Sequence, residues 1–174
     1  YQCVAGSAAQ TPCITGTYSA SNRSVACIVC ADGTYQDLAA QTACKACTPG
    51  SFCPAGSTAP SLCPAGTFAR SYGNRDSSQC QTCLKGFYCP AGSPDVHPCT
   101  PGTKGESAGL RDVSECVECT IPTHSVAGQS ECDGCISTYY LVPDAASASP
   151  TERCAPCPAG ASCDYNSSGL SGSL

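Results

Sequence analysis

The chain has 174 residues, of which nineteen are cysteine, three are phenylalanine and none is tryptophan or methionine. Only 12% of the residues are charged, the net charge is −5, and the eight lysines and arginines are scattered from Arg23 to Arg153. That charge pattern disfavours nucleic acid and anionic lipid as main partners; no apolar run reaches the roughly 18 residues of a membrane span.

Cysteine, at about 11% of the chain, exceeds the level that marks a disulfide scaffold. With so little material for a core, the entropy of the chain must be offset by covalent closure. Each bridge around a loop of about 15 residues is worth roughly 3 kcal/mol in the loop-entropy model. Such bridges need an oxidising compartment, so the chain is expected to be secreted or displayed on a surface. It begins at Tyr1 with neither an initiator Met nor the leader that secretion requires, and therefore reads as an excerpt of a longer secreted polypeptide.

From Cys13 a frame sets in: Cys-x-x-Gly-(Thr/Ser/Phe)-aromatic, a polar loop, then Cys-x-x-Cys. Counted from Cys13, Cys30, Cys47, Cys63 and Cys83, the third residue is Gly16, Gly33, Gly50, Gly66 and Gly86. The fifth is Tyr18, Tyr35, Phe52, Phe68 and Tyr88. Repeats of this kind indicate a tandem array. The glycine supplies a positive φ for a sharp turn, and the aromatic is expected to lie over its module's bridge as a miniature core. A two-residue strand or small hairpin per module fits; helix does not, given glycine and proline throughout.

Long steps run Cys13 to Cys27, Cys30 to Cys44, Cys63 to Cys80, Cys99 to Cys116, Cys119 to Cys132 and Cys135 to Cys154. Short steps run Cys47 to Cys53, Cys83 to Cys89 and Cys157 to Cys163. If each step closes on itself, nine local bridges leave only Cys3, whose partner would lie upstream of residue 1. A rival scheme interleaves the quartets, Cys47–Cys63 with Cys53–Cys80 and Cys83–Cys99 with Cys89–Cys116, which resembles the second half of a tumour-necrosis-factor-receptor module. Spacing alone leaves both open for the quartets. The organisation divides into modules over 1–53, 53–89 and 89–163 with a Ser/Gly-rich tail over 164–174. The frame decays late: Pro122 and Thr138 replace the glycine, and Lys104, His124 and Ser162 replace the aromatic. The loop from Cys135 to Cys154 is the longest and most individual.

Six Cys-x-x-Cys pairs (Cys27/Cys30, Cys44/Cys47, Cys80/Cys83, Cys116/Cys119, Cys132/Cys135, Cys154/Cys157) raise the possibility of zinc knuckles. Extra cysteines interrupt them and the chain has two histidines, so they read as junctions between modules, with no metal or cofactor expected. A thioredoxin-type role would need a βαβ scaffold that is lacking. Asp37, Asp76, Asp112 and Asp144 sit singly in loops and read as solvated. His97 and His124 are isolated and read as loop residues without a role. No catalytic constellation is found, and the chain is not expected to be an enzyme. Asn22-Arg23-Ser24 and Asn166-Ser167-Ser168 are candidate N-glycan acceptors.

The segments Cys-Ala-Asp-Gly-Thr-Tyr (30–35), Cys-Pro-Ala-Gly-Thr-Phe (63–68) and Gly-Phe-Tyr-Cys-Pro-Ala-Gly-Ser (86–93) resemble ephrin-receptor-like, EGF-related cysteine-rich repeats. That resemblance implies tandem EGF-like or TNF-receptor-like modules, and the unbroken frame with its lack of core residues adds the expectation of a small disulfide-rich fold, an elongated rod in which each module touches only its neighbours. It is shared with large protist and algal surface proteins, including surface antigens and mastigoneme-type ciliary hair proteins. The function expected is a structural or assembly segment of a glycosylated surface or ciliary filament. Its partners would be other copies of itself or other extracellular proteins. A ligand-binding receptor ectodomain or a variable surface antigen is the alternative.

Overall fold

The computed structural model describes residues 2–3, 10–21, 26–142, 153–159 and 163. Its elements are two- and three-residue strands: β1 (Gln2–Cys3), β2 (Gln10–Thr11), β3 (Thr17–Tyr18), β4 (Ile28–Val29), β5 (Thr34–Tyr35), β6 (Lys45–Ala46), β7 (Ser51–Phe52), β8 (Ser61–Leu62) and β9 (Thr67–Phe68). Then follow β10 (Gln81–Thr82), β11 (Phe87–Tyr88), β12 (His97–Pro98), β13 (Thr103–Lys104), β14 (Val117–Glu118), β15 (Thr123–His124), β16 (Gly134–Cys135), β17 (Tyr139–Leu141) and β18 (Cys154–Pro156). Consecutive strands pair antiparallel, giving nine separate hairpins among the described residues. The chain divides into two compact units, one of Tyr1–Thr82 with Cys89–Val96 and one of Cys83–Tyr88 with His97–Leu174.

The hairpins from β3–β4 onward each start at a tight turn, whose chemistry is written in the frame. The amide of the residue after the glycine donates to the carbonyl three residues back, as in Thr34 N to Ala31 O at 3.0 Å and Thr67 N to Pro64 O at 3.1 Å. A glycine with φ near +80° in the third place is the type II pattern. The Thr or Ser that follows the glycine donates its hydroxyl to that same carbonyl: Thr17 to Ile14, Thr34 to Ala31, Ser51 to Thr48 and Thr67 to Pro64, at 2.6–2.7 Å. This explains the preference for Thr and Ser at the fourth place of the frame, to which the sequence reading gave no role.

The buried positions recur every third residue. The frame cysteines Cys13, Cys30, Cys47 and Cys63 are at most 1% exposed, and the glycine at +3 is buried with them. The third buried column is +6, filled in turn by Ser19, Gln36, Cys53, Ala69, Cys89, Gly105 and Ser125. The aromatic at +5 is therefore not the miniature core expected of it. Phe68 is buried, whereas Tyr18, Tyr35, Phe52 and Tyr88 are only half-buried. Among these five aromatics only Phe68 forms such a core; the other four lie at the edge of their modules.

Hairpins are joined by backbone. In the first unit the glycine N–H at +3 donates to the +6 carbonyl of the next hairpin: Gly16 to Gln36, Gly33 to Cys53, Gly50 to Ala69 and Gly66 to Cys89, each at 2.7 Å. In the second unit Gly86 to Gly105 and Gly102 to Ser125 repeat this rung at 2.9 Å. A second rung runs from a loop back to the first cysteine of the preceding hairpin, Gly56 to Cys30 and Gly73 to Cys47 in the first unit, Gly109 to Cys83 and Gly128 to Cys99 in the second. Contacts reach further than the nearest neighbour. A Cβ added at Gly50 would collide with the carbonyl of Gly92, two hairpins on, and one at Gly16 with that of Gly56. The expectation that each module touches only its neighbours is thus corrected: a position without a side chain lets backbone meet backbone across two modules.

Helix, excluded from the sequence, occurs twice among the described residues. Ser77–Gln79 and Val113–Glu115 are single 3₁₀ turns, inside the two long loops closed by Cys63–Cys80 and Cys99–Cys116.

Candidate interaction surface

All eighteen cysteines from Cys13 to Cys163 are disulfide-bonded. The pairing is Cys13–Cys27, Cys30–Cys44, Cys47–Cys53, Cys63–Cys80, Cys99–Cys116, Cys119–Cys132, Cys135–Cys154 and Cys157–Cys163, with Cys83 and Cys89 in bridges as well. Cys47–Cys53 and Cys99–Cys116 set aside the interleaved scheme for both quartets. Every Cys-x-x-Cys is a junction: Cys27 closes one loop and Cys30 opens the next, and the same holds through Cys154 and Cys157. These sulfurs are spent in bridges, so they are neither thiolate ligands nor redox nucleophiles. The side chain of Cys3 lies outside the described residues, as do Asn22, Asn166, Asp144 and most of the loop between Cys135 and Cys154.

With sulfur inside, the outward chemistry falls to the second strands and the loops. The second strands β4, β6, β8 and β10 in the first unit, and β12 and β14 in the second, are exposed at both residues. They lie beside the half-buried rings and in places cover them. Lys45 Nζ stands 5.8 Å from the centre of Tyr35 and donates to Asp37 at 2.6 Å. Arg70 stands 4.9 Å from the Phe68 centre and is held by Asp95 through Nε and Nη2 at 2.9 and 2.6 Å. Such cation–ring contacts favour both partners. His97 stacks on Tyr88 across β11–β12 with centroids 5.4 Å apart, which corrects its reading as a histidine without a role.

The loop aspartates also have work. Lys45 holds the Asp37 carboxyl below the usual range, chiefly through their hydrogen bond. Asp76 accepts from the Ser78 amide at 2.8 Å and hydroxyl at 2.5 Å, and Asp112 from the Ser114 amide at 2.9 Å. These bonds lower both carboxyls. In return the side chains of Gln79 and Glu115 accept from the amides of Arg75 and Arg111 at 2.5 and 2.7 Å. This is a reciprocal cap at the start of each 3₁₀ turn. The signal was present in the sequence as Arg-Asp-x-Ser-(Gln/Glu)-Cys at 75–80 and 111–116, four residues of agreement in two loops of equal length.

One departure from the frame, Lys104, lines a cleft in the second unit. This cleft of about 510 Å³ is lined by Lys85, Lys104, Glu106, Glu131, Asp133 and Arg153 among others. Lys104, which takes the aromatic's place, pairs with Glu106. Together these residues hold that carboxyl low, Lys104 first and Lys85 second. Three of the chain's eight cationic residues and three carboxylates line this one cleft.

A comparison with known families gives a match over part of the chain. Residues 16–63 fit the family described as Tyrosine-protein kinase ephrin type A/B receptor-like. The matched stretch runs from the first third-position glycine to the cysteine that opens the β9–β10 hairpin, so it covers three turns of the frame. A comparison with curated proteins found no match. The bridges and this similarity together indicate an extracellular or cell-surface, cysteine-rich module. Among the described residues no helix is long and apolar enough to cross a membrane.

Proposed function

We propose that the chain is a structural and assembly segment of a secreted, glycosylated surface protein, a stiff non-enzymatic spacer of the kind found in extracellular or ciliary filaments. The observation that supports this most is the repetition of the same backbone rung, glycine N–H to the +6 carbonyl of the next hairpin, from Gly16 to Gly66 in one unit and again from Gly86 and Gly102 in the other. Such rungs are indifferent to side chains and add one module at a time, as in solenoids. The surface residues are thereby left to vary, and other copies or other extracellular proteins are the natural partners.

A ligand-binding ectodomain is the second reading, favoured by the mixed-charge cleft around Lys104, where the frame is broken. Covalent cross-linking at the cell surface, with Lys85, Lys104 and Arg153 all changed to Ala in the full-length protein, separates the two. A spacer keeps its cross-linked neighbours. Loss of one specific partner would overturn the spacer reading in favour of the receptor.

A further inference from the structure

The second set of rungs has one irregular member. Six loop amides donate to the carbonyl of the first cysteine of the preceding hairpin. Five belong to Gly56, Gly73, Gly92, Gly109 and Gly128, all with φ between +75° and +80°; the sixth is Ala40, at φ +60°, donating to Cys13 at 2.7 Å. Ala40 is the one non-glycine residue with positive φ among the described residues. Its Cβ faces the steric penalty of the left-handed region that the glycines escape. The backbone is held there because the rung demands that conformation.

The surroundings bound what happens when the rung lets go. Gln36, buried at the base of the loop, donates from Nε2 to Ala43 O at 2.6 Å and accepts from the Leu38 amide at 3.1 Å. Its own carbonyl keeps the Gly16 rung, and the Cys30–Cys44 bridge closes the loop behind it. The Ser19 amide also donates to Gln41 O at 3.0 Å, so release at Ala40 is confined to the stretch between Gln36 and Gln41 and does not unfold the hairpin. Ala39 and Leu38 on that segment are already exposed, so no core is opened.

We infer that the ladder of the first unit opens first at Ala40, making this loop rung the weak point of the junction between β3–β4 and β5–β6 while the Gly16 rung still holds the two hairpins together. Opening relaxes the strained φ, which gives this rung a head start that Gly56 and Gly73 lack. This weak rung is a property of the fold and holds whether the array serves as a spacer or a receptor.

The test is amide exchange on the oxidised full chain, residue by residue, with bridges verified by mass. Ala40 should be about 5- to 30-fold less protected than Gly56 and Gly73, the factor expected from the left-handed penalty. Ala40→Gly should raise the protection of that amide toward the glycine rungs. Gly56→Ala should lower protection at residue 56 by a similar factor. Equal protection at Ala40, Gly56 and Gly73, or an Ala40→Gly chain whose residue-40 amide is no better protected, would overturn the inference.

Discussion

Gly50 shows how much of this molecule rests on single backbone positions. It holds φ +79°, donates its N–H to Ala69 O and lies against the Gly92 carbonyl, where no Cβ fits. Gly50→Ala is expected to cost more than the roughly 1–2 kcal/mol of a left-handed non-glycine residue, because the rung must also shift; the midpoint of chemical denaturation under oxidising conditions measures it. The turn role of this glycine was legible from its spacing after Cys47. Its close approach to a loop two modules on was not, since nothing near Gly50 names Gly92 as its neighbour. The +6 column was equally hidden: Ser, Gln, Cys, Ala and Gly share burial there but no hydrophobic signature.

Among the elements, the two capped 3₁₀ turns and the hairpin around Phe68 carry distinct expectations. Asp76 and Asp112 have folded carboxyl pKa values below their unfolded ones. Their contribution is thus fully present above the unfolded value and lost as pH falls through the lower folded value. Acidification below the ordinary aspartate range should release the Ser78 and Ser114 amides while leaving the hairpins paired, and Asp76→Ala should do so at Ser78 alone at neutral pH; amide NMR shifts across the titration report both. Phe68 is buried beneath Arg70. Phe68→Ala should cost about 1.5–3 kcal/mol from lost burial and loosen β9–β10 only, read by local exchange. The hairpins themselves were legible because cysteine, glycine and aromatic recur at fixed offsets. The 3₁₀ turns were missed because a general rule about glycine and proline was applied to loops whose own Arg-Asp-x-Ser motif argues for a cap.

For the whole molecule the question is what replaces a core. The loop-entropy model gives about 2–3 kcal/mol for each bridge, the lower figure for the six-residue loops such as Cys47–Cys53. One buried ring such as Phe68 contributes on the order of one bridge, so bridges acting together dominate. Local closure was legible for the long loops and undecided for the quartets, because cysteine spacing fixes which loops can close but not which do. The observed bridges decide it, Cys47 closing on Cys53 and Cys99 on Cys116. The account stands or falls with amide exchange measured hairpin by hairpin before and after complete reduction and alkylation of the cysteines. Protection at the rungs of Gly16, Gly33, Gly50, Gly86 and Gly102 should collapse together once the bridges are gone. Rung protection that survives full reduction would show a core independent of the bridges and contradict both the scaffold and the extracellular assignment built on it.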